Sequence, residues 1–138
     1  SMDEAQYCFD YGVFLQCIDD LQDIEEDLAA GHLTIFSEIK AGPMDGPLNQ
    51  MRNFIDAFSS DSPFAEGKRL SYIIRTSMHG LIAQGVADNP ERFSPELYRD
   101  IEIRSRVSMD YRRSIRSRAA KQFTQEDLQT ISLVLSAE

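Results

Sequence analysis

The chain has 138 residues, of which 42% are hydrophobic, and it carries 14 basic against 23 acidic side chains, a net charge of −9. This length and apolar fraction suit one domain with a single modest core. The negative charge disfavours a general polyanion-binding protein, so we expect no nucleic-acid partner. No apolar run approaches the roughly 20 residues of a membrane span and no signal-peptide pattern occurs, so a soluble protein is expected. The two cysteines fit neither a disulfide nor a zinc site, which favours a reducing compartment and hence a cytoplasmic location.

Helices and no strands are predicted, because apolar residues recur at helical spacing and nowhere alternate with polar residues for long. The predicted helices cover residues 3–30, 48–58, 63–87, 94–120 and a fifth stretch that begins at Thr124. Gly31 is typical of a helix C-cap, and a Gly- and Pro-rich loop over 31–47 follows it. The sequence therefore predicts a single all-α domain or fragment over 1–138, built as a helical bundle.

One side of the first predicted helix is mostly acidic. At about 100° per residue, its polar residues fall within roughly one third of the circumference. These residues are Gly12, Gln16, Asp19, Asp20, Asp23, Glu26 and Asp27. The opposite arc holds Phe14, Cys17, Ile18, Leu21, Ile24 and Leu28, with Glu25 among them. Cys8 and Cys17 lie too far apart for a disulfide and are expected to be small buried thiols.

The crowding of these carboxylates requires compensation. Asp19 with Asp23, and Asp23 with Asp27, are i,i+4 pairs, and like charges at that spacing destabilise a helix by roughly 0.2–0.5 kcal/mol per pair. A solvated acidic stripe is one interpretation. Mg²⁺ is the other, since it takes carboxylate oxygens while keeping waters and substrate phosphates as its remaining ligands. The short Asp side chains and the clean separation of faces favour Mg²⁺.

The segment Phe-Leu-Gln-Cys-Ile-Asp-Asp-Leu-Gln-Asp over 14–23 resembles the second aspartate-rich motif of trans-polyprenyl diphosphate synthases, in which a Gln precedes Asp-Asp-x-x-Asp. The segment Asp-Leu-Ala-Ala-Gly-His-Leu-Thr-Ile over 27–35 is similar to that family's Asp-Leu-x-x-Gly-Lys-x-Thr-Leu. The spacing Asp23-x-x-Glu26-Asp27 is also similar to the second motif of squalene and phytoene synthases, which share the class I isoprenoid synthase fold. The resemblance covers about residues 5–40, and it implies the C-terminal portion of an isoprenoid synthase-like fold.

The resemblance implies a role for each matching residue. Asp19 would ligate Mg²⁺ directly, Asp20 and Asp23 would hold its water shell, and Asp27 would add a further carboxylate on the metal side. Gln16 would orient the allylic substrate or a metal-bound water. No catalytic residue independent of the metal is implied.

His32 marks a departure from the family, because it stands where the family has a diphosphate-binding Lys. A neutral imidazole neutralises less phosphate charge than an ammonium does. In the family, Mg²⁺ ions bridge two Asp-rich helices and the substrate diphosphate. The diphosphate departs as pyrophosphate and leaves an allylic carbocation behind. No second Asp-rich stripe occurs in this sequence, so its partner would be missing N-terminal helices of the same protein. We therefore expect the 138-residue chain alone to be catalytically inactive.

Three functions remain open from the sequence. The first is a Mg²⁺-dependent transferase of isoprenoid biosynthesis, which in full length ionises an allylic prenyl diphosphate for condensation or cyclisation. The second is a non-catalytic helical interaction module with a degenerate site, as His32 and Glu25 suggest. The third is a helical protein that self-associates, for instance as a homodimer, through its acidic face and a basic helix. The bases of that helix are Arg99, Arg104, Arg106, Arg112, Arg113, Arg116, Arg118 and Lys121.

Overall fold

The computed structural model describes residues 3–39, 42–60, 63 and 67–122. Within these ranges the chain forms six α-helices, one 3₁₀ turn and no strand, which confirms the predicted all-α bundle. The helices are α1 Glu4–Gln22, α2 Ile24–Ala30, α3 Asp45–Ser60, α4 Gly67–Asp88, α5 Pro95–Ser105 and α6 Met109–Gln122, with the 3₁₀ turn at Pro90–Arg92. The helix predicted from Thr124 lies outside the described residues.

Local capping chemistry explains several helix ends. The Asp3 carboxylate accepts a hydrogen bond from the Gln6 amide at 2.8 Å and begins α1. The Ser94 hydroxyl accepts one from the Leu97 amide at 3.2 Å and begins α5, with a proline at the first helical position. Gly31 ends α2 in the left-handed conformation, with φ of 72°. The end of the first predicted helix is thereby confirmed.

Two stretches that were each predicted as one continuous helix are broken in the structure, so the prediction was wrong on this point. The stretch 3–30 is interrupted at Asp23, where φ is −106° and ψ is 21°. The amide side chain of Asn89 donates to the Leu21 carbonyl at 3.1 Å, and a side chain inserted into the helical hydrogen-bond ladder kinks a helix. The stretch 94–120 is interrupted at Arg106, which takes a left-handed φ of 54°. After this turn the Glu102 carboxylate accepts from the Met109 amide at 2.9 Å and caps α6.

Helix α4 is the central element and contacts α1, α3, α5 and α6. The ends of α1 and α4 lie together, because Asn89, next after α4, bonds to Leu21 near the end of α1. The start of α1 instead lies at the end of α3, where the rings of Tyr7 and Phe58 stack with centroids 4.1 Å apart. Helices α1 and α4 therefore run in the same direction, and α3 runs against them.

The last two helices complete an up-and-down arrangement. The Ser94 amide at the start of α5 donates to Asp45 at the start of α3, so α5 is parallel to α3. Helix α6 turns back along α4, since the Arg112 guanidinium donates to the Gly80 carbonyl at 3.2 Å and Ile115 lies further along, beside Gln84 and Asp88. Within the described ranges, every helix is too short or too polar to cross a lipid bilayer.

One hydrophobic core runs through the bundle and includes Phe14, Leu21, Ile55, Ile82 and Val86, each at most 1% exposed. The tightest approach is between α1 and α4, where Gly85 faces Leu21. A Cβ atom at position 85 would lie 2.5 Å from the Leu21 Cγ atom, closer than two carbons can approach. The absence of a side chain at Gly85 therefore allows α1 to pack closely against α4 at Leu21, which directly follows Asp19 and Asp20 in the sequence.

Candidate functional site: the acidic face of α1 and α2

The predicted separation of the two faces of the first helix is confirmed. The apolar arc packs into the core, with Phe14 1%, Leu21 0% and Ile24 1% exposed. On the other side Asp19 is exposed, and Asp20, Asp23 and Asp27 are half-buried. We call Asp19, Asp20, Asp23 and Asp27 the acidic row.

The break at Asp23 kinks the row without disrupting its spacing. The Asp23 amide donates to the Asp19 carbonyl at 3.0 Å, and the Asp27 amide donates to the Asp23 carbonyl at 2.9 Å. These i,i+4 bonds are those of an α-helix, so Asp19, Asp23 and Asp27 remain consecutive neighbours along one side. The Asp23 side chain makes no capping hydrogen bond to α2.

Two members of the row already have polar partners. The Gln16 side-chain amide donates to the Asp20 carboxylate at 3.1 Å. His32 Nδ1 lies 3.0 Å from the Asp27 carboxylate, with the His32 side chain 67% and the Asp27 side chain 16% exposed. The residues predicted to contact substrate, Gln16 and His32, thus contact two of the predicted metal-side carboxylates.

The turn after Gly31 explains why His32 lies beside Asp27. The His32 amide donates to the Asp27 carbonyl at 2.9 Å, the bond that closes a Schellman motif at a left-handed glycine. The backbone bond and the side-chain contact therefore join the same two residues. This pairing could have been expected from the predicted C-cap, although the sequence alone gave His32 only a substrate-binding role.

Glu25 has a partner that sequence reasoning missed. The Arg92 guanidinium binds the Glu25 carboxylate, with Nε 2.7 Å from Oε1. Glu25 is therefore exposed and paired, although its helical phase places it beside apolar residues. The pair joins α2 to the 3₁₀ turn.

Arg104, Arg112 and Arg113 bond to partners on α4, α5 or α6, and among the described side chains of the region 94–120 no arginine bonds to the acidic row. The Arg104 guanidinium donates to Asp100 at 2.8 Å and holds the pKa of that carboxyl below its usual range. Arg112 is directed to the Gly80 carbonyl of α4. Within one chain, the arginines whose side chains the structure describes therefore do not neutralise the acidic row.

The two cysteines differ in exposure and are both free thiols. Cys17 is half-buried, and burial together with the charge of Asp20 raises the pKa of its thiol. Cys8 is exposed, so the expectation of two buried thiols was wrong for Cys8. Its position on the outer side of α1 explains this, because the core-facing positions nearby are Tyr7 and Phe14.

The outer side of α1 changes character along its length. In the N-terminal half it exposes Phe9, Val13 and Leu15, with Phe9 67% exposed. One to two turns later the acidic row begins on the same side, with Asp19 exposed and the other three carboxylates half-buried. Such a face offers apolar surface beside carboxylates, which suits a ligand with an apolar part and an anionic part that reaches the carboxylates through a cation.

The donor chemistry of the row fits Mg²⁺ held jointly with a ligand. In the described part of the chain, no three acidic, His or Cys side chains converge closely enough to hold a metal ion by themselves. Mg²⁺ differs from metals that need such a cage, because it commonly binds to one or two carboxylates plus waters and phosphate oxygens. Asp19 and Asp23 can supply those carboxylates, since neither forms a hydrogen bond or ion pair through its side chain in the described structure.

Comparisons with known proteins found no matching family model, no matching curated protein and no matching solved structure.

Proposed function

We propose that the acidic row is one half of a Mg²⁺-dependent diphosphate-binding site of the isoprenoid-synthase type. One observation carries the proposal: Asp19 and Asp23 lie one turn apart on the outer side of a helix, without polar partners in the described structure. Carboxylates so placed repel each other, and a divalent cation that also binds a diphosphate offsets the repulsion. The resemblance of residues 5–40 to polyprenyl diphosphate synthases supports the same ligand class.

In the full-length protein we propose ionisation of an allylic prenyl diphosphate, followed by condensation or cyclisation. Mg²⁺, when bound, neutralises charge on the diphosphate leaving group. Asp19 and Asp23 would hold the cation, and the Gln16 amide, which donates to the Asp20 carboxylate, would keep that carboxylate in place beside them. His32, oriented by Asp27, presents an exposed ring to the same end of the row, where it donates a hydrogen bond to a phosphate oxygen. The substrate's other contacts come from helices outside this chain.

The test is thermal unfolding with Mg²⁺ and inorganic pyrophosphate added singly and together. We expect the melting temperature of the chain to rise only when both are present, because a ligand that binds the folded state stabilises it by about 1.4 kcal/mol at ten times its Kd. The D19N/D23N variant should lose the rise. The E38Q/E91Q variant also removes two negative charges, at exposed positions away from the acidic row, and should keep the rise in melting temperature.

The shift of each variant is measured against its own ligand-free melting temperature. This matters because D19N/D23N removes two like-charge pairs and should itself be more stable than the wild type without ligand, by roughly 0.4–1 kcal/mol in low salt. An equal rise in D19N/D23N and E38Q/E91Q would show that binding occurs elsewhere. No rise in the wild type would count against the proposal.

A second candidate function is a helical interaction module that keeps the bundle without the chemistry. The contact between His32 and Asp27 favours this second function. It pairs one of the carboxylates predicted to face the metal with a histidine that stands where the family has Lys. For such a module, Mg²⁺ and pyrophosphate leave the melting temperature unchanged, and His32→Lys does not create a response. For a diphosphate site, His32→Lys should enlarge the response by adding a positive charge.

A further inference from the structure

The end of the bundle opposite the acidic row carries basic side chains without acidic partners. Helices α1 and α4 run in the same direction and meet at Leu21 and Gly85, so the acidic row lies level with the end of α4. The start of α4 lies at the other end, because Gly67 is about 27 Å before Gly85 at the rise of a helix. Lys68 and Arg69 in its first turn are exposed and form no ion pair within the described ranges.

Exposed apolar side chains lie directly beside these two bases. Tyr72 is 71% and Ile73 is 51% exposed, one turn after Lys68 and Arg69 respectively. This side of α4 faces away from α1, since Tyr72 lies about 140° around the helix from Gly85. The start of α4 therefore presents a mixed basic and apolar surface on the side away from α1.

The turn between α5 and α6 extends this surface. Because Arg112 bonds to the Gly80 carbonyl, α6 begins about one turn earlier along α4 than Gly80. Ile73 lies two turns before Gly80 on nearly the same side of α4, and thus near the level of the turn that precedes α6. That turn exposes Arg106, which forms no ion pair within the described ranges, and Ile103 one turn before it is 71% exposed.

The side chains at this end of the bundle are exposed and are either basic or apolar. We call the basic-apolar end the set Lys68, Arg69, Tyr72, Ile73, Ile103 and Arg106. Several bases elsewhere pair with carboxylates, namely Arg52, Arg75, Arg92, Arg104 and Arg113. Three bases thus stay unpaired at one end of a chain that has 23 acidic and 14 basic side chains. Such a surface is complementary to an anionic partner.

We propose that the basic-apolar end binds the surface of an anionic lipid bilayer, without spanning it. Aliphatic side chains such as Ile73 and Ile103 enter the boundary between headgroups and acyl chains, while flexible bases reach the anionic headgroups. Tyr72 suits the same depth, because tyrosine has an apolar ring and a polar hydroxyl. Nucleic acids bind through stacking on aromatic rings, whereas two of the three exposed apolar side chains here are aliphatic, which favours lipid.

The net charge of −9 is compatible with this binding. Exposed charges separated by more than about 8 Å are largely screened at physiological salt. Ile73 lies about 18 Å from Gly85 along α4, so the acidic row is about two screening lengths from the lipid surface. Glu4 and Asp10 are nearer, but α1 packs on the Gly85 side of α4, away from Tyr72. The separation of charge therefore orients the chain with its acidic row away from the bilayer.

The test is co-sedimentation of the full chain with vesicles of phosphatidylcholine alone or with about 30% phosphatidylserine. We expect the partition coefficient to be at least tenfold higher on the anionic vesicles at physiological salt, and this difference to disappear at about 1 M salt. Y72S/I73S should lower the partition coefficient at least tenfold. F9S/V13S removes two exposed apolar side chains from the outer side of α1 and should change it less than twofold.

The basic side chains have a matched pair of their own. R69Q should lower the partition coefficient about fivefold, the contribution of one base near an anionic membrane. R99Q removes an exposed base from α5 and should leave it unchanged. Equal binding to the two kinds of vesicle, no binding of the wild type, or equal losses in the matched variants would overturn the proposal.

A second measurement reports insertion into lipid directly. The chain has no tryptophan, so Tyr72→Trp and Phe9→Trp each carry a single fluorophore. With anionic vesicles, the emission of Tyr72→Trp should shift to the blue and be quenched by lipids brominated on their acyl chains, whereas Phe9→Trp should show neither effect. A blue shift that grows with protein concentration without vesicles would show that a second copy covers this surface. A shift with single-stranded RNA and none with vesicles would show a nucleic-acid partner, and either result overturns the proposal.

Discussion

Gly85→Ala is expected to destabilise the protein, although alanine is the better helix former. The new Cβ would lie 2.5 Å from the Leu21 Cγ and 2.7 Å from its Cδ2, and Leu21 is fully buried in the core. Overpacking of this kind costs about 1–3 kcal/mol. It exceeds the gain of about 1 kcal/mol in helix propensity, so the free energy of unfolding should fall in a urea titration.

Gly80→Ala is the matched control, because it makes the same substitution five residues earlier in α4. A Cβ there meets no atom within 4 Å, and the Arg112 bond to position 80 uses a backbone carbonyl that the substitution keeps. We expect Gly80→Ala to raise the free energy of unfolding by about 0.5–1 kcal/mol. If both variants shift stability in the same direction and by similar amounts, the close packing of α1 on α4 is wrong.

Asn89→Ala is expected to cost about 1–3 kcal/mol, because it removes a buried amide that bonds to two carbonyls. Asn89 is 5% exposed, and its Nδ2 donates to the Leu21 and Gly85 carbonyls at 3.1 and 3.0 Å. Asn53→Ala, at an exposed position of α3, is the control and should change stability by less than about 0.5 kcal/mol. Equal effects at the two positions in urea unfolding would show that Asn89 does not hold the ends of α1 and α4 together.

Asn89 also accounts for a feature of the fold, the kink at Asp23, that could not be predicted from the sequence. The two faces of the first helix follow from a local period, so the burial of Phe14 and Leu21 was predictable. The kink at Asp23 was not, because it depends on a side chain 68 residues after Leu21 that bonds to the Leu21 carbonyl. A polar residue directly after a helix is a common pattern, and nothing local in the sequence indicates which distant carbonyl it will bond to.

The same distinction holds within the candidate site. The turn at Gly31 was predicted, and the contact between His32 and Asp27 follows from the geometry of that turn. The pairing of Glu25 with Arg92 spans 67 residues and depends on the packing of the 3₁₀ turn against α2. Arg106 takes a left-handed conformation without being glycine, so residue 106 itself gave no sign of the helix break. The local signal was Ser108, whose hydroxyl accepts from the Tyr111 amide at 3.2 Å as an N-cap of α6. Periodicity and caps were thus readable, and contacts between distant segments were not.

The most direct measurement of the Mg²⁺-diphosphate site is paramagnetic line broadening in the amide spectrum of the chain, with Mn²⁺ in place of Mg²⁺ and pyrophosphate present. We expect selective broadening of the amides from Gln16 to Asp27, reversed by excess Mg²⁺, with the amides around Glu38 and Glu91 unaffected. Uniform weak broadening over all exposed acidic residues, or none along α1 and α2, would contradict it.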